Sequence, residues 1–204
     1  HTELREPLRY VEVLEAIAAG KLTLKEISDY IKLERSQLKK YLLTLERLEL
    51  IGREVGVLKS KVPRYYILDN FFAFYVALIN RFRDRIELGQ VDYVLSEVVK
   101  SLPTYLGRAF EGICLETLSK LLVGYEVGRY WDREGNEIDV VAIKDKAGTF
   151  YECKLSEPDG RDATLFKGKV EQVARQLKLE RTSLRFLASR TQKKVVEGVR
   201  VMEL

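Results

Sequence analysis

Asp139, Glu152 and Lys154 are the residues whose types and spacing could do chemistry. They sit in two short apolar strings, Glu137-Ile138-Asp139-Val140-Val141 and Tyr151-Glu152-Cys153-Lys154-Leu155. Charged side chains inside apolar strands are costly to bury unless they are paired or put to use. The turn Asp145-Lys146-Ala147-Gly148 separates the strings. A hairpin closed by that four-residue loop sets Asp139 opposite Lys154 and Val141 opposite Glu152. The two-residue period then brings Asp139, Glu152 and Lys154 to one face. Two carboxylates can hold a divalent cation through hard oxygens, with the Cys153 backbone carbonyl as a third donor. The lysine would position a water or stabilise charge developing on a phosphate, a set suited to phosphodiester hydrolysis. One His and two Cys leave little for a soft metal, so the expected ion is Mg or Mn. The competing reading is a buried Asp139–Lys154 ion pair without chemistry.

The elements that must position these residues follow from periodicity. Tyr105 to Leu122 reads as an amphipathic helix carrying Glu111, followed by strands over Glu126–Trp131, Glu137–Ile143 and Gly148–Leu155. A helix over Leu165–Leu177, a strand over Ser183–Ala188, a short helix over Lys193–Glu197 and a strand over Arg200–Glu203 complete the chain. The order αβββαβ, with a small terminal αβ addition, describes an α/β domain with a mixed sheet. Trp131 and Tyr130 beside the site could stack a base, although buried sheet aromatics are the commoner case.

Glu111 on the leading helix, Asp139 on a strand and Glu152-x-Lys154 on the next strand resemble the PD-(D/E)XK nuclease superfamily. The resemblance implies a restriction-endonuclease-like domain over residues 104–204. It makes Glu111, Asp139, Glu152 and Lys154 catalytic, with Asp139, Glu152, the Cys153 carbonyl and Glu111 around the metal. It also places Gln172 near the scissile phosphate, with Lys169 one turn earlier. The Pro-Asp dipeptide of the superfamily is absent, since Ile138 precedes Asp139.

The first 68 residues carry a different pattern. Leu8, Val11, Leu14, Ile17 and Ala18 give an amphipathic helix ending at Gly20. Thr23 with Glu26 is a capping box opening a second helix through Ile27 and Tyr30. A turn over residues 31–34 leads to a third helix starting at Ser36 or Arg35, with Leu38, Leu42, Leu45 and Leu48 inward. Strand-like runs Arg53–Leu58 and Arg64–Leu68 flank the turn Lys59-Ser60-Lys61. Helix, helix, turn, helix, wing is the winged helix-turn-helix pattern. The third helix would present Arg35, Ser36, Gln37, Lys39 and Lys40 to a major groove, and Lys59 and Lys61 on the wing would reach phosphates. Residues 32–64 hold nine Lys/Arg against four Glu, while the whole chain is only +4, so the basic excess is concentrated there. A winged helix also serves as a protein-docking module, and that alternative stands beside DNA binding.

Residues 69–103 form a helical connector. Asp69 caps a helix through Phe71, Phe72, Phe74, Tyr75, Leu78, Ile79 and Phe82 that is apolar on nearly every face and so is expected to be buried. A second helix, Val91 to Leu102, is expected to end at Pro103.

Taken together, the winged helix, the string Tyr66-Ile67-Leu68-Asp69-Asn70-Phe71-Phe72, Gly107-Arg108-Ala109-Phe110-Glu111 and the two site strings resemble the C-terminal half of a family of archaeal AAA-type ATPases. That resemblance implies a DNA-directed protein with a nuclease-like tail and an N-terminal ATPase domain as partner. ATP would bind only in that further domain, because Gly-x4-Gly-Lys-Ser/Thr does not occur in this sequence. It also allows a homo-oligomer. His1 is not a natural start, so a piece of a longer protein is expected.

Composition narrows the remaining classes. Of 204 residues, 46% are apolar, which excludes a disordered chain. The longest apolar run, residues 71–79, is too short for a membrane span, so no membrane partner is expected. Two cysteines make no disulfide framework, and a reduced, cytoplasmic setting follows. Charged residues reach 32% with one His and one Met, a thermophile-like bias. Two functional classes stay open: a metal-dependent nuclease tethered to a DNA-binding module, and a non-catalytic DNA-binding, regulatory or protein-interaction tail of an ATPase.

Overall fold

The structure, a computed structural model, describes residues 6–59, 62–132 and 134–204, with the side chain of Lys59 left out. These residues divide into two units. One comprises residues 6–55 and 62–105, the other 56–59 and 106–204. It is a mixed α+β chain in which, among the described residues, no helix is long and apolar enough to cross a membrane.

The first unit opens with α1 (Pro7–Ala18), α2 (Leu24–Ile31) and α3 (Arg35–Arg47). Gly20, at φ +84°, follows α1 in the left-handed conformation that glycine adopts without strain. The buried stripe of α1 is Val13, Leu14, Ala16 and Ile17, whereas Leu8 is 77% exposed. The expected stripe was thus offset: only its second half meets the core, because α2 and α3 pack there. The Thr23 hydroxyl accepts the Glu26 amide and the Glu26 carboxylate accepts the Thr23 amide, so the capping box forms as the sequence implies. In α3, Leu38, Leu42 and Leu45 are buried; Leu48 caps the helix end and is exposed, contrary to expectation.

Strands β1 (Ile51–Glu54) and β2 (Arg64–Ile67) pair antiparallel, with Ile51 opposite Ile67 and Glu54 opposite Arg64. The wing strands are shorter than the sequence suggests. Residues Val57–Lys59 form a 3₁₀ turn with Leu58 at φ 53°, and buried Val57 packs with Tyr130 and Ile138 of the second unit's core. Lys61, named as a wing contact, lies outside the described residues.

The connector is not one apolar helix. Asp69 caps α4 (Asn70–Phe74) by accepting the Phe72 amide at 2.6 Å. A π-helical turn (Tyr75–Ile79), a 3₁₀ turn (Asn80–Phe82) and α5 (Arg83–Glu87) then follow. Each break re-aims the side chains, burying Val76 and Leu78 while Phe71 is 76% exposed. Helix α6 spans Val91–Leu121 without ending at Pro103. Proline removes one backbone donor, but the apolar turns on either side pack into two cores, one holding Val94 and Val98, the other Phe110, Cys114 and Leu118.

The second unit is built on a six-stranded sheet: β3 (Glu126–Trp131), β4 (Glu137–Lys144), β5 (Ala147–Lys154), β6 (Arg181–Ala188), β7 (Val195–Val196) and β8 (Val199–Glu203). The spatial order is β3-β4-β5-β6-β8-β7. The first three strands run antiparallel; β5, β6 and β8 run parallel, with α7 (Gly160–Gln176) as the crossover from β5 to β6. The short helix expected over Lys193–Glu197 is instead strand β7 and a tight turn, with Glu197 and Gly198 both at positive φ, so that Val196 can pair with Val199. One core, holding Phe150, Phe166, Val170 and Phe186, involves α7. The other, holding Tyr151, Cys114 and Leu187, involves α6.

Candidate functional site

The β4–β5 hairpin sets the site. Lys144 pairs with Ala147, leaving a two-residue turn in which Asp145 and Lys146 both have positive φ, the geometry of a type I′ turn. The register therefore differs by two residues from the expected one: Val141 faces Phe150 rather than Glu152. Glu152 and Lys154 keep a common side of β5, 3.6 Å apart, while Asp139, one residue beyond the last ladder pair Val140–Tyr151, is tied to β5 through the Cys153 amide and not by the ladder. The physical basis of the tighter turn is the twist of the strands, which a two-residue primed turn matches.

Asp139 lies where regular pairing fails. Between Gly128–Val141 and Tyr130–Ile138 the β3–β4 ladder shifts by a bulge, leaving Arg129, Asp139 and Val140 outside it. Bulges of this kind aim side chains beside active sites. On its other flank Asp139 replaces a main-chain partner: the Cys153 amide donates to its carboxylate at 2.7 Å. In an antiparallel ladder a residue's N–H and C=O point to the same neighbour, so the Cys153 carbonyl also faces the β4 side.

Helix α7 closes the site from one sheet face. Its first turn is a capping box between Asp159 and Asp162. Asp162 also meets the Lys154 ammonium at 3.0 Å, and Lys154 stands 3.6 Å from Glu152. Lys169, two turns further along α7, reaches Glu152 at 3.6 Å. The Glu152 side chain is only 14% exposed, and its Oε2 is buried without a hydrogen-bond partner. Gln172 lies elsewhere: it donates to Glu134 at 3.0 Å, as does Gln176 at 3.2 Å. Lys169 and Asp162 are the site residues that the sequence argument did not single out for these contacts. The Asp159-x-x-Asp162 spacing of a capping box was the available signal for the second.

The electrostatics follow from this crowding. Burial first, then the charges of Glu152 and Glu111, push the Asp139 carboxyl up to about 7. Burial also raises Glu111, with Arg129 and Arg108 pulling the other way. Burial alone would lower the Lys154 ammonium, but its hydrogen bond to Asp162 and the surrounding acids raise it. The Cys153 thiol is pushed up by its hydrogen bond with Cys114 and by burial, so it stays protonated. Among the described residues no group of three or more His, Cys, Asp or Glu side chains is arranged to hold a metal ion. A cation here would depend on Asp139, Glu152 and a backbone carbonyl. The orphaned Glu152 Oε2 and the two mutually repelling carboxylates suit a hard divalent ion.

Tyr130 and Trp131 are both buried, which gives neither a free face for a base. In the first unit, Arg35, Ser36, Gln37, Lys39 and Lys40 are all exposed on α3, opposite the Leu38–Leu42–Leu45 stripe. Ser36 Oγ contacts Glu34 at 3.4 Å.

Comparison with known proteins adds the following. The model of the DUF234 family, archaea bacterial proteins of unknown function, matches residues 75–183. An uncharacterized protein, MJECL04 of Methanocaldococcus jannaschii, is 38% identical over 172 residues, covering 78% of this chain and 38% of the relative. The chain thus spans well under half of that relative's length. Among solved structures, ZitR of Lactococcus lactis in complex with DNA is 21% identical, covering 60% of this chain and 74% of its own, at a TM-score of 0.30. The S. aureus MepR–DNA complex is 18% identical, covering 55% and 78%, at 0.32. The adhesin competence repressor AdcR of Streptococcus pyogenes is 9% identical, covering 61% and 86%, at 0.33. At such TM-scores these superpositions are loose.

Proposed function

This chain belongs to the DUF234 family, and we propose that it handles nucleic acid with two parts: α3 docks DNA, and the β4–β5 hairpin with α7 forms a metal-dependent site for phosphodiester hydrolysis. The observation that carries the second part is the buried, unpartnered Oε2 of Glu152 beside an Asp139 held near 7. Carboxylates forced together at such cost are relieved by a cation between them. Asp139, Glu152 and the Cys153 carbonyl would hold Mg or Mn, with Glu111 acting through its charge. When bound, such an ion supplies Lewis-acid polarisation of a phosphoryl oxygen and a more acidic water.

The chain's own residues supply the rest. The Cys153 amide orients Asp139, and the bulge keeps that carboxylate out of the ladder. Lys154, kept charged by Asp162 and Glu152, provides positive charge where a phosphate would gain negative charge. Lys169 adds a second cation against Glu152.

A second reading, a non-catalytic DNA-binding or protein-docking tail, is favoured by one observation: Asp162 already engages Lys154 at 3.0 Å. The test is Mn²⁺ titration by calorimetry, then cleavage of single- and double-stranded DNA and RNA with Mg²⁺ or Mn²⁺. Wild type should bind and cut; Asp139→Ala should do neither. Identical behaviour of the two proteins would leave the second reading standing. An N-terminal ATPase partner is part of the same proposal, supported by the resemblance and by the greater length of the relative.

A further inference from the structure

A cleft of about 430 Å³ in the second unit is lined by Lys167, Thr182, Ser183, Arg185 and Arg200, with no acidic residue among its walls. The two arginines are register neighbours: Arg185 on β6 pairs with Arg200 on β8. Like charges on adjacent strands and the same face repel, which costs stability unless an anion is held between them. Among the described residues none of the three cations has a carboxylate partner. Lys167 donates to the Glu197 backbone carbonyl, which leaves its charge uncompensated. Arg185 is braced: it donates to the Met202 sulfur at 3.8 Å and lies 5.9 Å over the Tyr151 ring. A braced guanidinium loses less freedom when it grips a ligand.

We propose that this cleft is a second nucleic-acid contact that grips the phosphodiester backbone. Guanidinium forks match pairs of phosphate oxygens, and the hydroxyls of Thr182 and Ser183 add neutral donors, the mix found at sugar–phosphate contacts. Leu184 and Val199 also line it, but it holds no aromatic side chain on which a base could stack, so the contact reads the backbone and not the sequence. The cleft shares its partner class with the proposed function but needs neither the metal nor α3.

The experiment measures binding of a fluorescent 20-nucleotide duplex by anisotropy across a salt series, using the whole chain. Wild type is compared with Lys167→Gln/Arg200→Gln and with Lys39→Ala/Lys40→Ala. Both cleft positions are exposed and Arg185 is left in place, so melting temperatures should match wild type. The cleft pair should weaken binding about tenfold at low salt and lower the log–log salt slope by about two. An unchanged slope in the cleft pair overturns the proposal, as does a wild type that binds no duplex. A silent Lys39→Ala/Lys40→Ala variant with an affected cleft pair would overturn docking by α3 alone. Inorganic phosphate, added at constant ionic strength, separates the sources. If it occupies the cleft at millimolar concentration and the duplex does not, the ligand is a small anion and the nucleic-acid assignment fails.

Discussion

The Asp139 carboxylate accepts the backbone amide of Cys153 at 2.7 Å, at the step where the β4–β5 main-chain ladder stops. A side chain thus completes a hydrogen-bond pattern that the backbone leaves open. The acid is consequently fixed in direction and largely shielded from water, and the neighbouring Glu152 and Glu111 raise its proton affinity further.

That proton affinity has a stability consequence. Asp139 sits near 7 in the folded chain, above the ordinary carboxylate value of about 4 in the unfolded one. The folded state therefore binds the proton more tightly, and this contribution is present below about pH 4 and lost as pH rises through about 7. In EDTA, Asp139→Asn should flatten the fall in melting temperature between about pH 5 and pH 8. A slope equal to that of wild type would remove Asp139 as its source.

Metal affinity should run the opposite way. The proton on Asp139 competes with a cation, so Mn²⁺ affinity should rise with pH until the group is ionised near 7 and level off above. Calorimetry at several pH values reads this directly, together with proton release. Binding that ignores pH would mean that the ion sits elsewhere.

Asp162 does two tasks, closing the α7 capping box and holding Lys154. Asp162→Asn keeps a capping side chain but loses the charge. It should cost about 1 kcal/mol or less in stability, as for other caps, while lowering the Lys154 pKa. Denaturant midpoints report the first, and NMR titration of the lysine Nζ the second. An unmoved lysine would show that Glu152 alone sustains its charge.

In the first unit, Thr23→Ala removes the reciprocal cap of α2 and should cost about 1 kcal/mol. Leu42→Ala, in the buried stripe of α3, should cost about 2–5 kcal/mol. If Leu42→Ala proves as mild as Thr23→Ala, α3 is not the packed element that would present Lys39 and Lys40 rigidly.

The type I′ turn offers a gain. Asp145 and Lys146 hold positive φ without being glycine. Asp145→Asn/Lys146→Gly should stabilise by about 1 kcal/mol, less the small loss of the exposed Lys146–Glu180 pair. Chemical denaturation checks it; destabilisation would mean that the ion pair outweighs the strain.

What the sequence made legible, and what it hid, divides by range. Thr23–Glu26 and Asp69 acted as caps because capping is decided within three or four residues. The three-residue alternation Glu152-x-Lys154 fixed a common face, which survived a register shift of two. The shift itself was hidden, because it depends on backbone conformations at Asp145 and Lys146 that neither residue type announces. Pro103 misled because its local penalty is outweighed by packing on both sides of it. The contact of Lys169 rather than Gln172 with Glu152 was equally hidden: the two lie three positions apart on one side of α7, and the placement of that helix along β5 decides which one meets Glu152.

Asp162 and Lys169 stand seven positions apart on α7, and each grips one member of the strand pair Lys154 and Glu152. Seven positions are close to two full helical turns, so both residues fall on one side of α7; their rise of about 10.5 Å exceeds the two-residue step of about 6.6 Å on β5, and the length of the side chains spans the difference. A single residue inserted between them would swing Lys169 by about 100° relative to Asp162. The length of that interval is therefore under tighter constraint than the identity of the residues that fill it.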